Sequence, residues 1–118
     1  MNMAESKYAV VVGLKCNDPS KLKKMTLAEA RIEACRLAKK YPNSYTRIGI
    51  FAEDKYHISG DRYMPKLVED VDYSKKYRLI TGDVLDGFYL FQWTTNRQYR
   101  VSPNTGKLLD MNKYFKYL

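Results

Sequence analysis

Only one stretch of this 118-residue chain has the spacing of an amphipathic helix, and strand-like segments lie on both sides of it. Thr26 and Glu29 form a capping-box pattern, in which each side chain bonds the backbone of the other residue. Apolar side chains then recur at helical spacing as far as Tyr41, and Pro42 ends the pattern. The sequence therefore predicts one long helix over residues 27–40, with the rest of the fold built around it.

Short β-branched and aromatic segments fill most of the remaining chain. They predict strands over residues 7–14, 45–52, 56–58, 77–81, 88–95, 98–102 and 107–111. The strand, helix, strand order and the strands that follow predict a single α+β domain over residues 1–118. We expect a two-layer sandwich with a β-α-β start, an antiparallel β-meander and one long helix packed on the sheet.

The connections carry their own signals. Residues 53–55 and 82–87 are typical of turns or loops, and residues 103–106 of a tight turn with proline at its first central position. Pro65 is placed to open a single helical turn that ends at Val71, because proline is favoured at the first position of a helix. The break at residues 59–61 separates this turn from the strand before it.

Two predicted strands, residues 7–14 and 88–95, are apolar on both faces, which is typical of central strands covered on both sides. One helix can cover only one face of the sheet. The second face then needs the 59–76 segment, sheet curvature, a ligand or a partner subunit, so a homodimer is one possibility.

Positive charge is concentrated in the two ends of the chain. The formal net charge is +8, with +5 over residues 1–40, −1 over residues 41–70 and +4 over residues 71–118. Such a balance attracts polyanions, and it also keeps a protein in solution. The chain has no apolar run of bilayer length and no signal-peptide core at its start, so we expect a cytoplasmic protein without a membrane partner. Cys16 and Cys35 do not form a disulfide framework, and we expect both to be reduced.

Several of the eleven tyrosines lie beside lysine or arginine in the C-terminal half. The candidate binding residues form three clusters, which are Lys75, Lys76, Tyr77 and Arg78; Arg97, Tyr99 and Arg100; and Lys113, Tyr114, Lys116 and Tyr117. Aromatic rings stack on bases, and nearby cations hold phosphates. Tyr89, Phe91 and Trp93 share one strand face and are expected either to add to this surface or to pack in the core. The first interpretation is a small non-catalytic protein that binds nucleic acid.

Two other functions fit the same sequence. Tyrosine and arginine are also enriched at protein interfaces, so the clusters could bind an acidic protein surface as an inhibitor, adaptor or accessory factor of mobile-element type. Glu53 and Lys55 follow a strand as in metal-dependent nucleases, where a carboxylate binds Mg²⁺ and a lysine polarises water. The second acid of such a site is missing, because the candidate Asp18 lies in a loop. The lone His57 and the lack of a phosphate loop favour a protein with no enzyme activity, metal or cofactor.

Overall fold

The computed structural model describes residues 5–16, 22–41, 47–59, 62–78 and 84–110. Within these ranges the chain order is β1 (Tyr8–Val12), α1 (Leu27–Lys40), β2 (Ile48–Ser59), β3 (Arg62–Arg78), β4 (Val84–Gln92), β5 (Arg97–Val101) and β6 (Leu108–Asp110). Each strand pairs antiparallel with the next one along the chain. The protein is a small α+β fold in which one helix packs on a six-stranded antiparallel sheet.

Helix α1 has the predicted bounds because its signals are local. The Thr26 hydroxyl accepts from the Glu29 N–H at 3.2 Å, and the Glu29 carboxylate accepts from the Thr26 N–H at 3.0 Å. These bonds lower the pKa of Glu29. Tyr41 was predicted on the apolar stripe, and that prediction is wrong. It is exposed because it is the C-cap residue and its backbone has left the helical conformation.

The core lies between α1 and the middle of the sheet. Small helix residues, Ala30, Ala34 and Ala38, are buried against fully buried side chains of β2, β3 and β4. The two cysteines are buried, and they do not form a disulfide. Burial raises the pKa of the Cys35 thiol to about 12, so Cys35 remains protonated and packs as a small apolar residue.

The two strands that are apolar on both faces occupy different positions in the sheet. β4 lies inside the sheet, as predicted. Two of its consecutive residues, Tyr89 and Leu90, are fully buried on opposite faces. β1 lies at one end of the strand order, so the prediction of a central strand is wrong for it. Val12 and Leu14 are 47% and 41% exposed. An apolar run indicates where a strand lies in the sequence, but the position of that strand in the sheet depends on how all the strands pair.

The structure corrects the prediction for the middle of the chain. Residues 53–55 form no turn, because β2 runs on to Ser59 and absorbs its extra residues in a register shift between Ala52 and Tyr56. The helical turn predicted from Pro65 is wrong as well, because this segment belongs to β3. Pairing with β2 and β4 supplies partners for its backbone, which outweighs the local preference of proline. Pro65 itself lies beside the register shift, where its missing N–H is tolerated.

The C-terminal strands are close to their predicted positions. β3 includes Tyr77 and ends at Arg78, β4 begins inside the predicted loop at Val84, and its strand ends at Gln92. The tight turn over residues 103–105 is present, and Gly106 has the positive φ of 73° that favours glycine.

Candidate functional site

A groove of about 510 Å³ opens where the ends of β4 and β5 meet the end of α1. It is lined by residues from five elements and from the turn after β5, among them Lys39, Tyr73, Phe88, Arg100, Ser102 and Pro103. We call it the Arg100 groove. Among the described side chains that line it, none is a carboxylate. The groove therefore combines apolar surface with positive charge.

The aromatic wall of the Arg100 groove is a cross-strand pair. Tyr73 on β3 is directly opposite Phe88 on β4, and their ring centroids are 5.0 Å apart at a tilt of 47°. Both side chains are half-buried and pack against the core. Such packing fixes the rings in place while leaving part of each ring accessible from the groove.

Two cations face the same groove from different elements. Lys39 lies in the last turn of α1, where a positive charge is favourable next to the helix C-terminus. Arg100 is half-buried on β5. A side chain at Gly87 would begin 3.3 Å from the Arg100 Nε atom, so glycine leaves the room that the guanidinium occupies. Arg100 is paired with Tyr89, so its side chain leaves β5 on the sheet face opposite the one that carries Phe88 and Tyr73.

The predicted cluster on β5 is divided by the alternation of the strand. Arg97 is exposed opposite Gln92, and Tyr99 packs on the core opposite Leu90. Arg100 is opposite Tyr89 and is the one member of this cluster that lines the groove. Successive strand residues point to opposite faces, so neighbours in sequence do not share one surface.

The other predicted binding residues fall outside the described side chains. Lys75, Lys76, Tyr77 and Arg78 belong to β3, whose backbone is described there. Lys113, Tyr114, Lys116 and Tyr117 lie outside the described residues.

The aromatic row on β4 changes from buried to exposed along the strand. Tyr89 is fully buried, Phe91 is half-buried, and Trp93 is 48% exposed just after the strand. The Phe91 and Trp93 rings meet edge to face, with centroids 4.7 Å apart. The Trp93 Nε1 atom also donates to Asp70 at 2.8 Å. Tyr89 is therefore a core residue, whereas Trp93 is an anchored surface ring outside the groove.

A buried ion pair fixes the elements that carry the groove. The Arg31 guanidinium donates two bonds to the Glu69 carboxylate, at 2.8 and 2.7 Å, and a third to the Gly106 carbonyl at 3.3 Å. Gln92 also donates to Glu69 at 2.8 Å. The network joins α1, β3, β4 and the turn before β6. Sequence reasoning missed it; the available signal was an arginine next to the buried helix position Ala30.

A second group of charges lies near Trp93. Arg47 Nη2 is 2.6 Å from Asp70 Oδ1, although off hydrogen-bond alignment, and Asp72 has a buried oxygen without a hydrogen-bond partner. Burial raises the pKa values of Asp70 and Asp72, and the charge of Arg47 partly opposes this. Within the described part of the chain, no group of three or more His, Cys, Asp or Glu side chains could hold a metal.

The residues of the nuclease interpretation are only partly described. Glu53 is exposed and forms an ion pair with Lys24 at 3.6 Å. The Lys55 side chain and the candidate Asp18 are outside the description.

Comparison with protein-family models, with curated proteins and with solved structures found no match for this chain. Of the helical residues that the structure describes, none forms a segment long and apolar enough to cross a membrane.

Proposed function

We propose that this is a small non-catalytic protein that binds single-stranded nucleic acid in the Arg100 groove. The observation that carries the proposal is the meeting of two cations and two aromatic rings in one groove whose described lining has no carboxylate. An unpaired base can stack on the accessible part of Tyr73 or Phe88. Arg100 and Lys39, which also line the groove, would then bind the neighbouring phosphates.

The size and charge of the molecule favour the same ligand. A groove of about 510 Å³ falls within the usual range for small-ligand sites, roughly 300–1,000 Å³, and can hold a nucleotide. The net charge of +8 raises the local concentration of a polyanion and speeds its association. Binding of this kind is strongly dependent on salt and only weakly dependent on sequence.

An anisotropy titration with a fluorescent oligothymidylate tests the proposal. We expect the wild-type protein to bind at low salt, and Arg100→Ala to bind more weakly. In a plot of log affinity against log salt concentration, losing one phosphate contact should reduce the slope by about 0.7. Lys107→Ala is the matched control, because it removes the same charge from an exposed position outside the groove lining.

Two results would refute the proposal that nucleic acid binds in the Arg100 groove. One is a wild-type protein that does not bind the oligonucleotide at low salt. The other is an equal loss of affinity in Arg100→Ala and Lys107→Ala, since this would show a general effect of net charge.

A second candidate function is a protein-interaction module, such as an inhibitor or adaptor. It is favoured by the exposure of Val12 and Leu14 beside a strand at the end of the sheet order. This surface belongs to β1 and is separate from the Arg100 groove.

We also propose the finer features of the architecture, a two-layer sandwich with a β-α-β start, and a cytoplasmic location. The buried alanine face of α1 supports the layered arrangement. A cytoplasmic location would give the groove access to single-stranded nucleic acid.

A further inference from the structure

The outer side of β1 presents backbone groups that the sheet does not use. Lys7 and Gly13 direct hydrogen bonds toward β2, with the Lys7 carbonyl accepting from Glu53 at 2.8 Å and the Gly13 N–H donating to Arg47 at 2.7 Å. Because bonding direction alternates along an antiparallel strand, Tyr8, Val10 and Val12 direct their N–H and C=O groups the other way.

Of these three residues, only Tyr8 has its outward backbone groups hydrogen-bonded by Met25. Tyr8 and Met25 exchange two backbone bonds, at 3.0 and 2.8 Å, as an isolated bridge. No described residue forms a backbone bond with the outward groups of Val10 or Val12. Among the described residues, the edge of β1 is therefore unpaired from just beyond Tyr8 as far as Val12.

Apolar side chains accompany this open edge. Val12 and the nearby Leu14 are the exposed large apolar residues at this end of the sheet. Unpaired strand edges with exposed apolar residues readily accept another strand, and proteins usually protect them with charges or proline. The segment from Val10 to Val12 contains neither.

The charges around the edge distinguish between two possible occupants. Lys15 and Lys23 are exposed, and both lie close in sequence to the paired residues of this edge. A second copy of the chain would bring the same lysines, and its own net charge of +8, against them. An acidic strand would be attracted instead.

We propose that the β1 edge binds an extended acidic segment of a partner protein as an added strand. The backbone of that segment pairs with Val10 and Val12, an apolar side chain covers Val12 and Leu14, and acidic side chains approach Lys15 or Lys23. This inference deepens the second candidate function and is independent of nucleic-acid binding in the Arg100 groove.

The test uses a short synthetic peptide that alternates valine with glutamate, and binding is measured by calorimetry. Val12→Pro removes an outward N–H without removing a bond to β2, and we expect binding at least about tenfold weaker. Val12→Thr is the matched control, because it keeps the N–H and nearly the same shape, and it should bind within a few-fold of wild type. Circular dichroism checks that each variant is folded.

A charge reversal keeps the test decisive if Val12→Pro does not fold. Lys15→Glu should weaken binding of the glutamate peptide and strengthen binding of a matched peptide with lysine in place of glutamate. Arg100→Ala should leave peptide binding unchanged, which separates this site from the groove.

Three outcomes would overturn the proposal. They are no binding of the glutamate peptide to wild type, equal binding to folded Val12→Pro, and a Lys15→Glu variant that prefers neither peptide. A dimer in light scattering that Val12→Pro dissociates would also overturn it, because the edge would then belong to a second copy.

Discussion

Arg31 is one residue whose bonds hold together the elements that form the Arg100 groove. It is 6% exposed, and its partner Glu69 is 3% exposed, so both charges have left water. Such a pair is tolerated because every strong donor and acceptor has a partner nearby. Its effect is mainly positional, since it fixes α1 against β3 and against the turn that carries Gly106.

Removing one partner of this pair should be costly. We expect Arg31→Met to lower the free energy of unfolding by about 3–5 kcal/mol, because Glu69 would remain buried without its cation. The double variant Arg31→Met/Glu69→Leu should recover most of that loss, since no buried charge remains. Urea denaturation measures both, and a double variant no more stable than the single one would contradict this account.

The sequence predicted Arg100 as a candidate binding residue, but it did not predict which other residues line the groove with it. Arg100 is recognisable because it lies in a basic and aromatic cluster. Tyr73 had the same kind of neighbours, yet its pairing with Phe88 depends on the register between β3 and β4. Lys39 gave no signal, because a lysine in the last turn of a helix is common.

At the level of elements, those with local sequence signals were predicted correctly, whereas those that depend on long-range strand pairing were not. The capping box placed α1, and the proline-to-glycine pattern placed the turn before β6. The length of β2 and the extended state after Pro65 depend on neighbouring strands that are distant in sequence. The local pattern there favoured a turn and a helix, and the sheet overrode both.

Two glycines with positive φ provide a matched test of how the turn packs on the helix. A side chain at Gly106 would begin 2.8 Å from the Ala28 carbonyl oxygen, whereas one at Gly13 would meet nothing within 4 Å. Alanine is strained at both positions, at a cost of about 1–3 kcal/mol. We expect Gly106→Ala to lose at least about 1 kcal/mol more than Gly13→Ala in chemical denaturation, because the helix backbone cannot move away. Equal losses would show that the turn is not held against α1.

At the level of the whole molecule, the Arg100 groove forms only when the chain has folded and its elements have packed together. Its cations come from the end of α1 and from β5, and its rings come from β3 and β4. No short segment of the sequence contains these four side chains together. Composition predicted a basic binder with accessible aromatic residues, and the sheet register determines which of those residues line one groove.

The most direct measurement of the central claim is an amide chemical-shift titration with oligothymidylate at low salt. We predict that the largest shift changes cluster around Lys39, Phe88 and residues 100–102, and that Arg100→Ala needs more oligonucleotide than Lys107→Ala to reach the same changes. Shift changes confined to other surfaces, or no changes at saturating oligonucleotide, would contradict the assignment of the groove as the nucleic-acid site.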